Sequence, residues 1–161
     1  MFSIRSARHG DEPAVQSLVA AVLAEFGLAL DRERTDADLD NLTASYHDRG
    51  GVFRVVVDGA GAIVGCGGLF RLSPAEGELR KMYLRSDVRG RGRGRELLED
   101  LVAFARRQRL TRLTLETASV LTNAIALYQR YGFTEYRPDH LAERCDRAFE
   151  LELGGQRQQQ T

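Results

Sequence analysis

Between residues 89 and 95 the chain reads RGRGRGR, and this stretch restricts the possible fold more than any other. The segment before it, GELRKMYL at 77–84, reads as a strand, and Leu97, Leu98, Leu101, Phe104 and Ala105 after it recur at helical spacing. Glycine at alternate positions permits φ > 0 and lets a ligand approach the main chain closely. The helix start leaves N–H groups unpaired and carries a partial positive charge. A strand, a glycine turn and a helix N-terminus make an anion site, with diphosphate as the natural occupant and arginines on its rim. The same composition also fits a solvated turn or an Arg/Gly nucleic-acid element.

The whole chain speaks against nucleic acid. In 161 residues, 23 Lys and Arg balance 23 Asp and Glu, so no net positive field draws the molecule to nucleic acid or to an anionic membrane. An RNA-binding Arg/Gly element would be a longer disordered repeat with interleaved aromatics, whereas this one is clamped between strand and helix. The opening MFSIRSARHGDE has no apolar h-region, and no apolar run is long enough to span a bilayer. Cys66 and Cys145 form no CxxC pair, and His9, His47 and His140 show no ligand spacing. These features predict a cytoplasmic protein with no metal and no disulfide.

FSIRSAR reads as a first strand. Asp11 is placed to cap a helix with Pro13 in its first turn, an apolar stripe from Val15 to Phe26 and Gly27 at its end. A shorter helix is predicted around DADLDNLTASYHD. VFRVVVD and AIVGCGGLFRL flank GAGA as an antiparallel hairpin. After the glycine-arginine stretch and its helix come a strand at LTRLTLET, a helix at TNAIALYQRYG and a last strand at RAFELEL, with a further short strand at FTEYR. This order predicts one α/β domain of the α+β type over 1–153, a mixed, mostly antiparallel sheet flanked by helices. Residues 154–161, GGQRQQQT, read as a disordered tail.

The P-loop pattern GxxxxGK[ST] is missing. The dinucleotide pattern GxGxxG belongs after the first strand of a parallel sheet, and here GxGxG follows antiparallel strands instead. The segment Arg89-x-x-Gly92-x-Gly94, set between ELRKMYL and an amphipathic helix, resembles the acyl-CoA-binding signature of the GCN5-related N-acetyltransferases (GNAT). NAIALYQRYGF, Asn123 to Phe133, is similar to a second segment of that family, and the element order matches from Ile4 to about Leu153.

The resemblance implies a GNAT fold in which two parallel strands, ELRKMYL and RLTLET, splay to admit pantetheine. It implies acetyl-CoA as cosubstrate, a primary amine as acceptor and no metal. The pyrophosphate turn falls on Gly90, Arg91, Gly92, Arg93, Gly94 and Arg95, with Arg89 leading into it. Arg93 departs from the aliphatic or aromatic residue that the family commonly carries there. Main-chain groups of Met82, Tyr83 and Leu84 match the positions that hold the acetyl carbonyl and pantetheine, and Asn123 matches a side chain beside pantetheine. Tyr128 matches the tyrosine that protonates the leaving thiolate, and Glu78 matches a glutamate general base of histone-type members.

Burial disfavours the ionised form of a carboxylate and so helps it accept a proton. Glu78 meets that description, with a strand-edge salt bridge to Arg80 or Arg112 as its structural alternative. Glu116 is a second carboxylate at the end of the neighbouring strand, and bulk water is a third route for the proton. Cys66 has no histidine placed to activate it, which favours direct attack by the amine over an acetyl-cysteine intermediate. Phe26, Leu28, Tyr46, Phe70, Arg71, Arg80 and Tyr136 are the acceptor-site candidates, with Arg71 or Arg80 able to pair with an acceptor carboxylate. The expected acceptor is a small amine or amino acid. A peptide amine and a non-catalytic acyl-CoA sensor are the alternatives, and a homodimer is compatible by family analogy.

Overall fold

The computed structural model describes residues 1–154; the expected disordered tail lies outside them from residue 155 onward. Seven strands form one sheet: β1 (Ser3–Ser6), β2 (Val52–Val57), β3 (Ile63–Arg71), β4 (Glu76–Leu84), β5 (Arg112–Thr117), β6 (Thr134–Tyr136) and β7 (Arg147–Glu152). Their spatial order is β1-β2-β3-β4-β5-β7-β6. Every neighbouring pair is antiparallel except β4 and β5. The helices are α1 (Glu12–Glu25), α2 (Leu42–Ser45), α3 (Arg93–Arg107) and α4 (Thr122–Tyr131). A parallel pair needs a crossover, and α3 supplies it between β4 and β5. The mixed α/β sheet expected from the element order is therefore the observed fold.

The helices make two cores, one on each sheet face. Leu97, Leu98, Leu101, Val102 and Ala105 of α3 are buried with Leu69, Leu79, Leu113, Leu115 and Phe149 from the strands. Fully burying a leucine of this kind stabilises the fold by about 1.5–3 kcal/mol. On the other face Val15, Leu18, Val19, Val22 and Leu23 of α1 pack on Phe53, Val55 and Cys66. Gly27 N–H to Ala24 O (3.2 Å) and Leu28 N–H to Leu23 O (2.9 Å) close that helix.

Two local expectations are corrected. Asp11 stands at the start of α1, but its carboxylate makes no cap bond and turns back to the Arg8 N–H (2.7 Å) and the Arg5 guanidinium (2.8 Å). The single helix expected over DADLDNLTASYHD is broken into a 3-10 turn at Ala37–Asp40, the short α2 and a second 3-10 turn at His47–Arg49. Asn41 causes the first break: its backbone is extended and its side chain accepts the Ala44 N–H at 3.0 Å, so it starts a new helix.

Two irregularities in β4 set up the site. The register with β3 shifts between Cys66 and Gly68, so Lys81 and Met82 form a bulge, with Lys81 at φ 57°. A non-glycine residue in that region costs about 1–3 kcal/mol and persists only where its surroundings hold it there. The parallel pairing with β5 runs from Glu76–Arg112 to Leu79–Leu115 and then stops, although β4 continues to Leu84 and β5 to Thr117. Beyond Leu79 the two strands part.

Candidate active site

A cleft of about 1030 Å³ opens where β4 and β5 separate. Its sides are Arg80–Leu84 of β4 and Leu115–Ala118 at the end of β5. Gly90, Gly92 and Gly94 line one end, with Arg89 and Arg95 beside them. Gly90 (φ 76°) and Gly92 (φ 81°) hold the left-handed conformation that the turn needs, and no atom lies within 4 Å of where a Cβ would stand on either. Gly92 is the N-cap of α3, and the first bond of that helix is Glu96 N–H to Gly92 O at 3.0 Å. The N–H groups of Arg93, Gly94 and Arg95 therefore precede the intrahelical ladder. A Cβ on Gly94 would stand 3.2 Å from Leu127 and 3.5 Å from Leu84, both of which line the cleft. An open main-chain turn at a helix start suits a diphosphate, and the gap between the strands suits a slender arm.

Tyr128 and Asn123 reach the cleft from α4. The Tyr128 ring packs against Phe133 at 5.8 Å between centroids and is only 6% exposed. Burial, with a smaller contribution from Tyr83, pushes its phenol well above the ordinary tyrosine range, so it keeps its proton at neutral pH. Tyr83 is pushed up to about 12 by burial as well. Asn123 is the second residue of α4, whose N-cap is Leu121, so it does not cap that helix.

Two carboxylates enter the cleft on one face of the sheet, since Glu78 pairs with Thr114 and Glu116 stands two residues beyond it on β5. Glu78 accepts from the Arg80 guanidinium, one of the two partners expected for it. The other, Arg112, is taken by Glu76 (2.8 Å) and Glu150. Burial opposes the charge on Arg80, but Glu78 outweighs it and holds that guanidinium protonated. Glu116 accepts the Ala142 N–H at 2.7 Å and so anchors the connection between β6 and β7. Cys66 is fully buried and pushed up to about 12 by burial, as a core thiol rather than a nucleophile.

Residues 16–133 match the model of the acetyltransferase (GNAT) family. The uncharacterized N-acetyltransferase YjgM of Escherichia coli K12 is 38% identical over 128 residues, 76% of each chain. The chain belongs to the GNAT acetyltransferase family. An acetyltransferase of that family from Staphylococcus aureus Mu50 superposes with a TM-score of 0.90 over 95% of this chain and 99% of its own, at 23% identity. A structure of yncA from Salmonella typhimurium with acetyl-CoA superposes at 0.73 over 94% of each chain, at 20% identity. These two likenesses bear on the GNAT fold alone.

Within this GNAT chain the expected site residues divide cleanly. Glu78, Glu116, Tyr128, Met82, Tyr83, Leu84, Arg89, Gly90, Gly92, Gly94, Arg95, Asn123, Phe26, Leu28 and Arg80 all line the one cleft. Arg91 is exposed to solvent outside it. Arg93 turns away: its guanidinium pairs with Glu96 at 3.0 Å and lies 4.5 Å from the centre of the Phe2 ring. That cation–π contact with Phe2 is what holds an arginine at this position.

Four acceptor candidates also lie elsewhere. Tyr46 is buried with its hydroxyl donated to Asp38, and Phe70 lies beneath Arg80 (3.9 Å) and Arg49 (4.4 Å). Arg71 donates to the Ser73 and Pro74 carbonyls, and Tyr136 lies against Arg112 at 5.0 Å.

The cleft also contains residues that the sequence did not single out, chiefly Arg34, Thr35, Lys81, His140, Arg144 and Cys145. Lys81 is the strained bulge residue, and its ammonium lies 3.3 Å from Asp36 and 3.2 Å from Asp38. Arg144 donates to both Asp36 oxygens, at 2.7 and 2.6 Å. Burial alone would push Asp36 up, but the Arg144 bonds, the Asp31 N–H and the Lys81 charge hold it below the usual carboxylate range. Among the described residues no helix is long and apolar enough to cross a membrane.

Proposed function

We propose that the chain is an acetyl-CoA-dependent N-acetyltransferase in which a primary amine attacks the thioester directly in a ternary complex. The observation that carries this reading is the end of parallel pairing at Leu79 and Leu115, with the glycine turn and Tyr128 converging on the gap. Acetyl-CoA, when bound, supplies the activated acyl group. The Salmonella neighbour of the same fold holds that molecule.

The main-chain N–H groups of Gly90 to Arg95 are the diphosphate donors, because the glycines leave them uncovered and α3 leaves them unpaired. Asn123 and the main chain of Met82, Tyr83 and Leu84 position the pantetheine arm. Met82 N–H, at the bulge, supports oxyanion charge. Glu78 takes the ammonium proton directly or through water. Glu116 is the second choice, since one of its oxygens is engaged by Ala142. Tyr128, protonated at neutral pH, gives a proton to the departing sulfur. The acceptor is a small amine or amino acid, entering past Phe26, Leu28 and Arg80.

The test is thiol release from acetyl-CoA over a panel of amines, amino acids and peptides. Amine-dependent release supports the reading. Tight coenzyme A binding without turnover of any amine would make the chain an acyl-CoA sensor, and absence of coenzyme A binding would reject both.

A further inference from the structure

Away from the glycine turn and α4, the arginine and lysine side chains that line the cleft are Arg34, Arg80, Lys81 and Arg144. Three of them are already occupied. The Lys81 ammonium lies against Asp36 and Asp38 and donates to the Thr35 carbonyl at 3.1 Å. Arg144 gives both terminal nitrogens to Asp36. Arg34 pairs with Glu143 at 3.6 Å, and with both side chains 77% exposed that pair stands in open solvent.

Arg80 is different. A guanidinium carries five N–H donors, and among the described residues the one hydrogen-bond partner of Arg80 is Glu78, held through Nε. Nη1 and Nη2 have no protein partner there, and neither is buried, so both stay open to solvent. The plane of the group is fixed by stacking. The guanidinium carbon lies 3.9 Å from the centre of the Phe70 ring, and Phe70 is set edge-on against buried Tyr46 at 6.1 Å between centroids. A donor fork fixed before its ligand arrives loses little freedom on binding, and it matches a carboxylate with two parallel bonds. Arg71, the other arginine expected to pair with an acceptor carboxylate, lies outside the cleft and donates to the Ser73 and Pro74 carbonyls.

We propose that Arg80 is the carboxylate-binding residue of the acceptor site, so that the acceptor is an amino acid rather than a plain amine. This rests on the acetyltransferase reading above and narrows it. Nε keeps Glu78 in place while the Nη1–Nη2 edge takes the acceptor carboxylate. One guanidinium thus brings the acceptor's amine beside the carboxylate that removes its proton. The two carboxylates around Arg80 leave one negative charge in excess, and the acceptor's own ammonium balances it. An amine without a carboxylate has no such anchor.

The experiment compares acetyl-CoA thiol release for a panel of free amino acids with release for their carboxamides. A carboxamide keeps the shape, removes the charge and has the less basic amine, so at neutral pH a preference for the acid reports recognition of the carboxylate. The parent protein should favour its best amino acid over the matching carboxamide by at least about tenfold in kcat/KM. Arg80→Gln should bring that ratio close to one, chiefly through KM for the acid, and Arg80→Lys, which keeps the cation without the fork, should retain part of it. If Arg80 serves only to hold Glu78, Arg80→Gln slows both substrates by one factor and leaves the ratio fixed, which would overturn the proposal. Should Arg80→Gln fail to fold, the parent panel still decides, because equal or higher kcat/KM for the carboxamides refutes it. Failure of every amine to release thiol would instead sink the acetyltransferase reading.

Discussion

Tyr128 carries its proton at neutral pH as any tyrosine does, burial holds that proton more firmly still, and its place in the cleft puts it where a leaving thiolate would need one. Tyr128→Phe should therefore reduce kcat by about 10²-fold or more, the usual scale of general-acid catalysis. Coenzyme A affinity, measured by calorimetry, should stay near the parent value, and an unchanged kcat would remove Tyr128 from the mechanism. The choice of base is tested by mutation. Glu78→Gln should depress the rate most at low pH, where the amine is mostly protonated and most needs a base; a pH–rate profile that overlays the parent's would pass the role to Glu116 or water. The local sequence made Tyr128 and Glu78 visible only through their place in recognisable segments. Arg93 had no such signal, because its explanation lies in Phe2, ninety-one positions away in the chain, whose ring centre is 4.5 Å from the guanidinium.

At the level of elements, the glycine turn and α3 were legible because both are local. Glycine spacing sets the turn, and the apolar stripe sets the helix. The parting of β4 from β5 is a failure of pairing between strands and leaves no mark in either strand's own sequence; it entered the expectation only through the family resemblance. The Lys81 bulge was silent for the same reason, and its partners Asp36 and Asp38 had read as part of a helix that Asn41 in fact interrupts. The bulge should depend on those partners. Lys81→Met leaves Asp38 without its cation and Asp36 with Arg144 alone, so it should cost about 1–3 kcal/mol in denaturant unfolding. A loss below about 1 kcal/mol would show that the backbone holds the bulge without them.

Across the whole molecule, the Asp36–Arg144 contact joins residues 108 positions apart and ties one wall of the cleft to the other. No local pattern announces a pair of that separation. It has a pH signature. The folded-state pKa of Asp36 lies below its unfolded value near 4, so its stabilising contribution is complete above that value. The contribution is lost as pH falls through the lower folded-state value. Asp36→Asn should lower stability at neutral pH and flatten the acid limb of the stability profile, read as urea midpoints from pH 7 down to pH 3. An acid limb that stays parallel to the parent's would assign acid sensitivity to other carboxylates.

The central claim is that the gap between β4 and β5, closed at one end by the glycine turn, is where acetyl-CoA sits. Calorimetric titration of coenzyme A into the parent and into Gly94→Leu tests it most directly. A Cβ at position 94 stands 3.2 Å from Leu127 and 3.5 Å from Leu84, both of which line the cleft. The account predicts one saturable site in the parent and affinity weakened at least about tenfold in Gly94→Leu, a change of about 1.4 kcal/mol, with the circular dichroism of the fold retained. Equal affinity in the two proteins, or no binding to the parent, would contradict it.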